Sequence, residues 1–225
     1  MADTRTAGSA DGGDSLMAAT IERLVTSGTF SLGDDTFGVE NNVWIIGDAE
    51  EAMVIDAAHD ADIIAAAVGS RRLLAILCTH AHNDHIDAAP ALSDRTGAPI
   101  LLNRKDLDLW HRTHPDRVPD DEADDGRQLH VAGSRMTVRH TPGHSPGSVS
   151  VYDPALGTVF TGDTLFCGGP GATGHPFSDF GTIIDSIRER LLTLPPETAV
   201  CPGHGDTTTV GEEAKHQDEW LDRGY

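Results

Sequence analysis

The sequence predicts an α/β sandwich, with two β-rich halves packed on each other and helices outside. Three observations carry this. Short apolar runs recur along the chain with Gly, Asp and Asn between them. In the first half these runs alternate with helical patterns; in the second they follow one another directly, as antiparallel hairpins do. Helical patterns stand at both ends of the series, as covering layers require.

The chain has 225 residues, with 38% hydrophobic and 23% charged, the length and composition of one globular domain with a proper core. There is no internal repeat and no Pro/Ser-rich linker, so residues 18–225 are expected to form a single domain. Residues 1–17, MADTRTAGSADGGDSLM, are small, polar and acidic and read as a flexible leader. They lack the basic start and apolar stretch of a secretory signal, which points to a cytoplasmic protein.

The segments 20–32, 42–47 and 52–58 read as strands bounded by turn residues. Asp60 is placed to cap a helix through ADIIAAAVG (61–69), where apolar residues recur at helical spacing. RRLLAILCTH (71–80) reads as a buried strand. A helix over 85–96, stopped by Gly97, leads into a strand at 98–102. A short helix is expected near 106–115, and PDDEADDG (119–126) reads as an acidic surface loop. Successive strands follow at 128–133, 135–141, 148–153 and 158–163. Residues 179–194 predict a helix with Ile183, Ile184, Ile187, Leu191 and Leu192 on one face. TAVCPGHG (198–205) is a last strand and loop, and residues 210–224 a terminal helix.

Charge and cysteine usage narrow the function. Sixteen Lys and Arg stand against 36 Asp and Glu, a formal net charge of −20. Such a surface keeps a protein soluble, and without a basic cluster it is unsuited to a nucleic-acid backbone. No apolar run approaches the ~20 residues that span a bilayer. Neither nucleic acid nor a membrane is expected as a partner, and composition gives no signal for the homodimer that is the remaining partner to consider; the expectation of a small-molecule substrate comes from the motifs that follow. Cys78, Cys167 and Cys201 form no C-x-x-C pair and no disulfide framework. Cys78 and Cys201 end apolar runs and read as core residues; Cys167, in a Gly-rich loop, is a candidate pocket residue.

The chemistry concentrates in Thr79-His80-Ala81-His82-Asn83-Asp84-His85. Imidazole nitrogen and carboxylate oxygen suit zinc, iron or manganese. Alternate spacing in a turning loop aims His80, His82 and Asp84 inward while His85 diverges from its neighbour. One loop can thereby serve two metals about 3.5–4 Å apart. A plain helix-capping turn gains little from three clustered histidines. Three further elements follow strands: Pro142-Gly143-His144, Gly162-Asp163 and Gly203-His204-Gly205. Strand ends of one sheet system converge on one edge, so these side chains are candidates for the same site.

THAHNDH, PGH, GD and GHG, in that order, resemble the metallo-β-lactamase superfamily from about Val39 to about Glu213. Within it the chain is most similar to the glyoxalase II-like (hydroxyacylglutathione hydrolase-like) branch, through GDTLF (162–166), the Gly-rich loop to Phe177, SIRERLLTLP and PGHGDTTTVGEE. The resemblance implies a four-layer αβ/βα sandwich and a binuclear centre of two divalent ions, zinc first and iron or manganese as alternatives. It implies His80, His82 and His144 on one metal, Asp84, His85 and His204 on the other, and Asp163 bridging. Asp56 would support the metal loop from behind. The implied reaction is thioester hydrolysis by a water whose pKa falls from ~15.7 towards ~7 between two cations, with Asp84 as ligand and orienting group.

The family's Gly-rich loop often carries an Arg where this chain reads GGPGATGHP, and His175 is the residue expected to touch substrate there. His59 has no role in the family pattern and reads as a surface or pocket-rim residue. The chain stops about twenty residues after GHG, so the glutathione-binding helical extension, and with it glutathione specificity, is not carried over. The alternatives are an iron persulfide dioxygenase with His80, His144 and Asp163 as ligands, a lactonase, and a non-enzymatic scaffold. A β-lactamase is disfavoured because its usual cysteine ligand would stand where Asp163 does.

Overall fold

The computed structural model describes residues 19–33 and 35–224; the leader expected at 1–17 lies outside them. Six strands build the first sheet in chain order: β1 (Thr20–Leu32), β2 (Asp35–Gly47), β3 (Glu51–Ile55), β4 (Arg72–Leu77), β5 (Ile100–Leu102) and β6 (Asp121–Glu122). β1 to β3 pair antiparallel and β3 to β6 parallel. Four helices cover this sheet: α1 (Ala61–Val68), α2 (Asn83–Ile86), α3 (Ala89–Thr96) and α4 (Leu107–Thr113). Their apolar side chains pack on Val43, Ile45, Val54, Ile76 and Ile100.

The second sheet contains β7 (Gln128–Val131), β8 (Ser134–His140), β9 (Val149–Asp153), β10 (Thr158–Gly162), β13 (Ala199–Pro202) and β14 (Thr208–Thr209), in the order β14-β13-β10-β9-β8-β7. Between β10 and β13 come a two-stranded ribbon of β11 (Leu165–Phe166) and β12 (Gly169–Pro170), and helix α5 (Phe180–Ser186), which runs on through a π turn to Leu191. Helices α6 (Val210–Glu213) and α7 (Gln217–Arg223) follow. Ile183, Ile184, Ile187, Leu191 and Trp220 pack with Val159 and Val200 on the outer face of this sheet, and Leu192 is only partly buried there.

Alternation in the strands explains the layering, because side chains at i and i+2 share a face. Val43 and Ile45 of β2 turn outward to the helices, while Trp44 and Ile46 turn inward. Inward residues of both sheets, among them Ile55, Leu77, Met136, Val138, Val151 and Phe160, form one shared core. The result is the α/β sandwich in four layers.

Several local expectations need correction. β2 begins at Asp35, not near residue 42, and pairs along the whole of β1; its outer half is exposed and gives no burial signal. β3 stops at Ile55 because Asp56 takes φ +57°, a left-handed conformation. β4 ends at Leu77, and residues 78–82 leave the sheet. The single helix expected over 85–96 is two helices. Asp87 and Ala88 turn aside between them, where Asp87 accepts the His59 N–H and Ala88 donates to the Ala57 carbonyl, and Pro90 starts the second helix. The acidic loop 119–126 contains β6, held parallel to β5. The terminal helix is broken by a 3-10 turn at Ala214–His216. Asp60 caps α1 as expected, accepting the Asp62 and Ile63 N–H groups, and Gly97 ends α3 at φ +75°.

Candidate metal centre

The site lies where four loops leave the sheets at one edge. Residues 78–82 follow β4, residues 141–148 join β8 to β9, Asp163 follows β10, and Gly203-His204 follow β13. Strands β10 and β13 run parallel and adjacent, which brings Asp163 and His204 to neighbouring strand ends. The two sheets are keyed together at this edge. Asn42 N–H donates to the Gly203 carbonyl (2.7 Å), Trp44 Nε1 to Pro202 (3.0 Å) and Val149 N–H to Thr79 (2.8 Å).

All seven expected ligand residues meet. Ligand-type atoms of His80, His82 and His144 lie within 4.8 Å of one another, as do those of Asp84, His85 and His204, and those of His80, His85 and Asp163. The rings are aimed by what their outer nitrogens bond. His85 Nδ1 donates to Asp56 Oδ2 (2.9 Å), His144 Nδ1 to the Ala172 carbonyl (2.8 Å) and His204 Nδ1 to the Glu40 carbonyl (2.7 Å). His80 Nδ1 faces Thr79 Oγ1 at 3.2 Å. In each case Nε2 is turned inward. His82 instead presents Nδ1, 3.1 Å from His80 Nε2 and 2.9 Å from His144 Nε2.

This packing fits divalent cations better than it fits the side chains alone. Inward-facing ring nitrogens crowd together, and Asp84 Oδ1 and Asp163 Oδ1 are buried without a hydrogen bond, the latter 3.4 Å from His85 Nε2, a costly arrangement for a carboxylate that a cation between these groups would relieve. The electrostatics agree. Burial, with His144 next, holds His82 down to about 3, and burial with His85 pushes His80 well below the ordinary histidine range. Burial opposes charge on His204, but Asp163 and Asp84 outweigh it and carry it up to about 10. Burial would raise Asp84, yet His85 and His204 keep it at about 2. Both carboxylates therefore stay charged.

Asp56 sits behind the cluster, 1% exposed. Its carboxylate accepts Thr79 N–H (2.7 Å), Thr79 Oγ1 (2.8 Å) and His85 Nδ1, so one side chain fixes both the start of the histidine loop and one ring. Its left-handed backbone is the strain that this arrangement maintains. Gly203 passes so close that a Cβ there would stand 2.4 Å from Asp163 Oδ1 and 2.5 Å from His85 Cε1. The flanking glycine of the GHG element is thus required by close approach.

Two contributors, Asp106 and Asn41, have no signal in the sequence, and His59 has a different place from the one expected. Buried Asp106 accepts Ala81 N–H (3.0 Å), Ser145 Oγ (2.6 Å) and Gly147 N–H, tying the His80 loop to the His144 loop. Asn41 donates to Asp84 Oδ2 (3.1 Å). His59 is no surface residue: its ring is 4% exposed and lies 2.8 Å from Asn41 Oδ1 and 3.3 Å from Asp87 Oδ2. No local pattern announces such partners, since each acts across the fold. The positive φ of His59, +66°, leaves no trace in residue type either.

Two cavities adjoin the cluster. One of about 180 Å³ is lined by Asp84, Asp163, His144 and His204 with Phe30, Val39 and Phe166. A larger one of about 530 Å³ opens beside it and shares Phe30, His82 and His175. His175 stands between them, its ring centroid 5.2 Å from that of His82 and 5.1 Å from that of His144; it is not one of the clustered ligand residues. Cys167 is exposed and lines neither cavity, while Cys78 and Cys201 are buried in the core.

A sandwich with a His/Asp cluster at its strand ends is the plan of a metal-dependent hydrolase. The profile of the Metallo-beta-lactamase superfamily matches residues 36–204, and the chain belongs to that superfamily. It falls with the glyoxalase II-like branch. The hydroxyacylglutathione hydrolase GloC of Haemophilus influenzae is 32% identical over 194 residues, 78% of this chain and 90% of that protein. Among solved structures, the BLEG-1 B3 metallo-beta-lactamase superposes with a TM-score of 0.74 at 30% identity, covering 87% of this chain and 99% of its own. TTHA1623, solved in a di-iron-bound form, gives 0.68 at 34% identity, covering 84% and 97%. Among the described residues no helix is long and apolar enough to cross a membrane.

Proposed function

We propose that this superfamily member hydrolyses thioesters of a low-molecular-weight thiol at a binuclear centre. The observation that carries the reading is the convergence of seven ligand-type side chains around two buried carboxylate oxygens that accept no hydrogen bond from the protein. The similarity to a hydroxyacylglutathione hydrolase supports the substrate class.

His80, His82 and His144 would hold one cation, Asp84, His85 and His204 the other, and Asp163 would reach both. When bound there, two divalent cations, zinc first among zinc, iron and manganese, would acidify a water and polarise a carbonyl oxygen. The chain supplies the rest. Asp84 Oδ1 is free to accept the proton that an attacking water gives up, and Asn41 holds the other oxygen of that carboxylate in place. Phe30, Val39 and Phe166 wall the small cavity and restrict bulk water at the scissile bond. Water and thioester become carboxylic acid and thiol; the sulfur leaves as thiolate, and because a thiol is far more acidic than an alcohol or amine this anion needs no dedicated proton donor.

Elemental analysis of protein purified without added metal or chelator tests the centre, and a thioester panel tests the substrate. Two metals per chain and thioester turnover are expected. One iron per chain with oxygen uptake on a persulfide would overturn the reading. Because a similar structure is that of a β-lactamase, a chromogenic cephalosporin belongs in the panel; turnover of it alone would also overturn the thioester assignment.

A further inference from the structure

Charge is distributed unevenly around the larger cavity. The chain carries 36 acids, yet among the described residues lining this cavity there is no carboxylate and one fixed cation, Arg112 of α4. The guanidinium carbon of Arg112 stands 4.7 Å from the centroid of the Phe177 ring. Phe177 takes φ +74° in a turn tied by Ser178, whose N–H and Oγ both donate to the His175 carbonyl. The ring is thus presented by a constrained turn next to the residue that separates the two cavities.

Stacking on an aromatic face orients a guanidinium without occupying its N–H groups. Among the described residues no carboxylate lies within ion-pair distance of Arg112 and no acceptor takes its hydrogen bonds, in contrast to Arg71, Arg72, Arg117 and Arg127, each held by an acid. A planar, exposed and pre-oriented fork of donors, facing a cavity that opens onto His82, is built for a planar anion.

We infer that the larger cavity holds the substrate portion remote from the scissile bond, and that Arg112 recognises a carboxylate there. The substrate class is then an anionic thioester. This rests on the thioester reading, and the test separates the two.

Matched thioesters differing by one carboxylate are compared on the metal-loaded wild type, Arg112→Gln and Arg112→Lys. S-acetyl-N-acetylcysteine is set against S-acetyl-N-acetylcysteamine, placing the charge on the thiol. S-succinyl-N-acetylcysteamine is set against its S-butyryl counterpart, placing it on the acyl group. In at least one pair the anionic member is expected to lead in kcat/KM by ~10-fold or more, the scale of a charge-assisted bond. That ratio collapses toward one in Arg112→Gln, is partly kept in Arg112→Lys, and shrinks as salt is raised. No lead in either pair, or a lead that survives Arg112→Gln, would overturn the assignment. Binding of the non-hydrolysable thioether S-methyl-N-acetylcysteine, against S-methyl-N-acetylcysteamine, is followed by ligand-observed NMR. Arg112-dependent preference for the acid without turnover of any thioester would keep the anion site and discard the thioester reading. Turnover with no charge preference would do the reverse.

Discussion

Asn41 and Asp84 are joined across the fold: the carboxamide of β2 donates from Nδ2 to Asp84 Oδ2 at 3.1 Å, while its oxygen lies 2.8 Å from His59 Nε2. The contact leaves Asp84 Oδ1 as the free oxygen of that carboxylate. It makes Asn41 a positioning residue that acts through Asp84. Replacing Asn41 with Ala is expected to weaken metal affinity or kcat by ~10–100-fold, the usual effect of removing an outer partner of a ligand. His59→Ala should act in the same direction and less strongly, since it reaches Asp84 only through Asn41. Competition titration with a chromogenic chelator measures the affinity; unchanged affinity and kcat in both variants would refute the relay.

His82→Ala and Asp163→Ala separate an enzyme from an inert scaffold. Each removes an inward-facing ligand atom without filling the space. Turnover should fall by more than the ~100-fold that marks the upper end of outer-partner effects, and circular dichroism should stay native. A scaffold would lose no activity, having none to lose.

The metal-free protein should be most stable between two titrations. His204 holds its proton up to about 10 when folded. The stability it contributes is therefore full below the ordinary histidine value of ~6.5 and lost as pH rises towards 10. His82 is held down to about 3, so its contribution is present above ~6.5 and lost as pH falls towards 3. Thermal unfolding of chelator-treated protein across pH checks both slopes. Metal uptake must also expel the His204 proton, so uptake at pH 7 should acidify an unbuffered solution, and affinity should climb with pH.

Two glycines should fail differently when changed to Ala. At Gly203 the added Cβ would meet Asp163 Oδ1 and His85 Cε1, so metal binding and activity suffer first. At Gly143, φ +132° and a Cβ 2.3 Å from the Ile183 N set the new methyl against the backbone of α5. There the loss should appear as thermal stability, by ~1–3 kcal/mol for the strained backbone alone. Metal titration and melting curves on both variants distinguish the two.

The parts of this site legible in the sequence were those written locally. His80, His82, Asp84 and His85 share one loop, and His144, Asp163 and His204 each follow an apolar strand at a turn, so residue type and position identified them together. Asp56 was reached through family resemblance, and its role appears only when its three hydrogen bonds are seen. Asn41 and Asp106 were illegible because their partners lie 43 and 25 or more residues away, and His59, noticed as a surface or pocket-rim residue, was misplaced because its partner Asn41 lies 18 residues away. The outer half of β2 was missed for a related reason. All of it but Val39 is exposed, so its pairing with β1 is set by the hairpin and not by a continuous buried side. The break between α2 and α3 likewise depends on His59 and Ala57, residues outside the segment.

The keyed edge, where Asn42 and Trp44 of one sheet grip the carbonyls of Gly203 and Pro202 of the other, makes catalysis intolerant of misassembly. A one-residue slip along β13 would turn His204 to the opposite face and dismantle the centre, even though most of the core could still collapse. Compact but misregistered molecules would thus be silent in an assay. Turnover per bound metal then counts correctly assembled chains, a stricter measure of refolding yield than secondary-structure content or solubility.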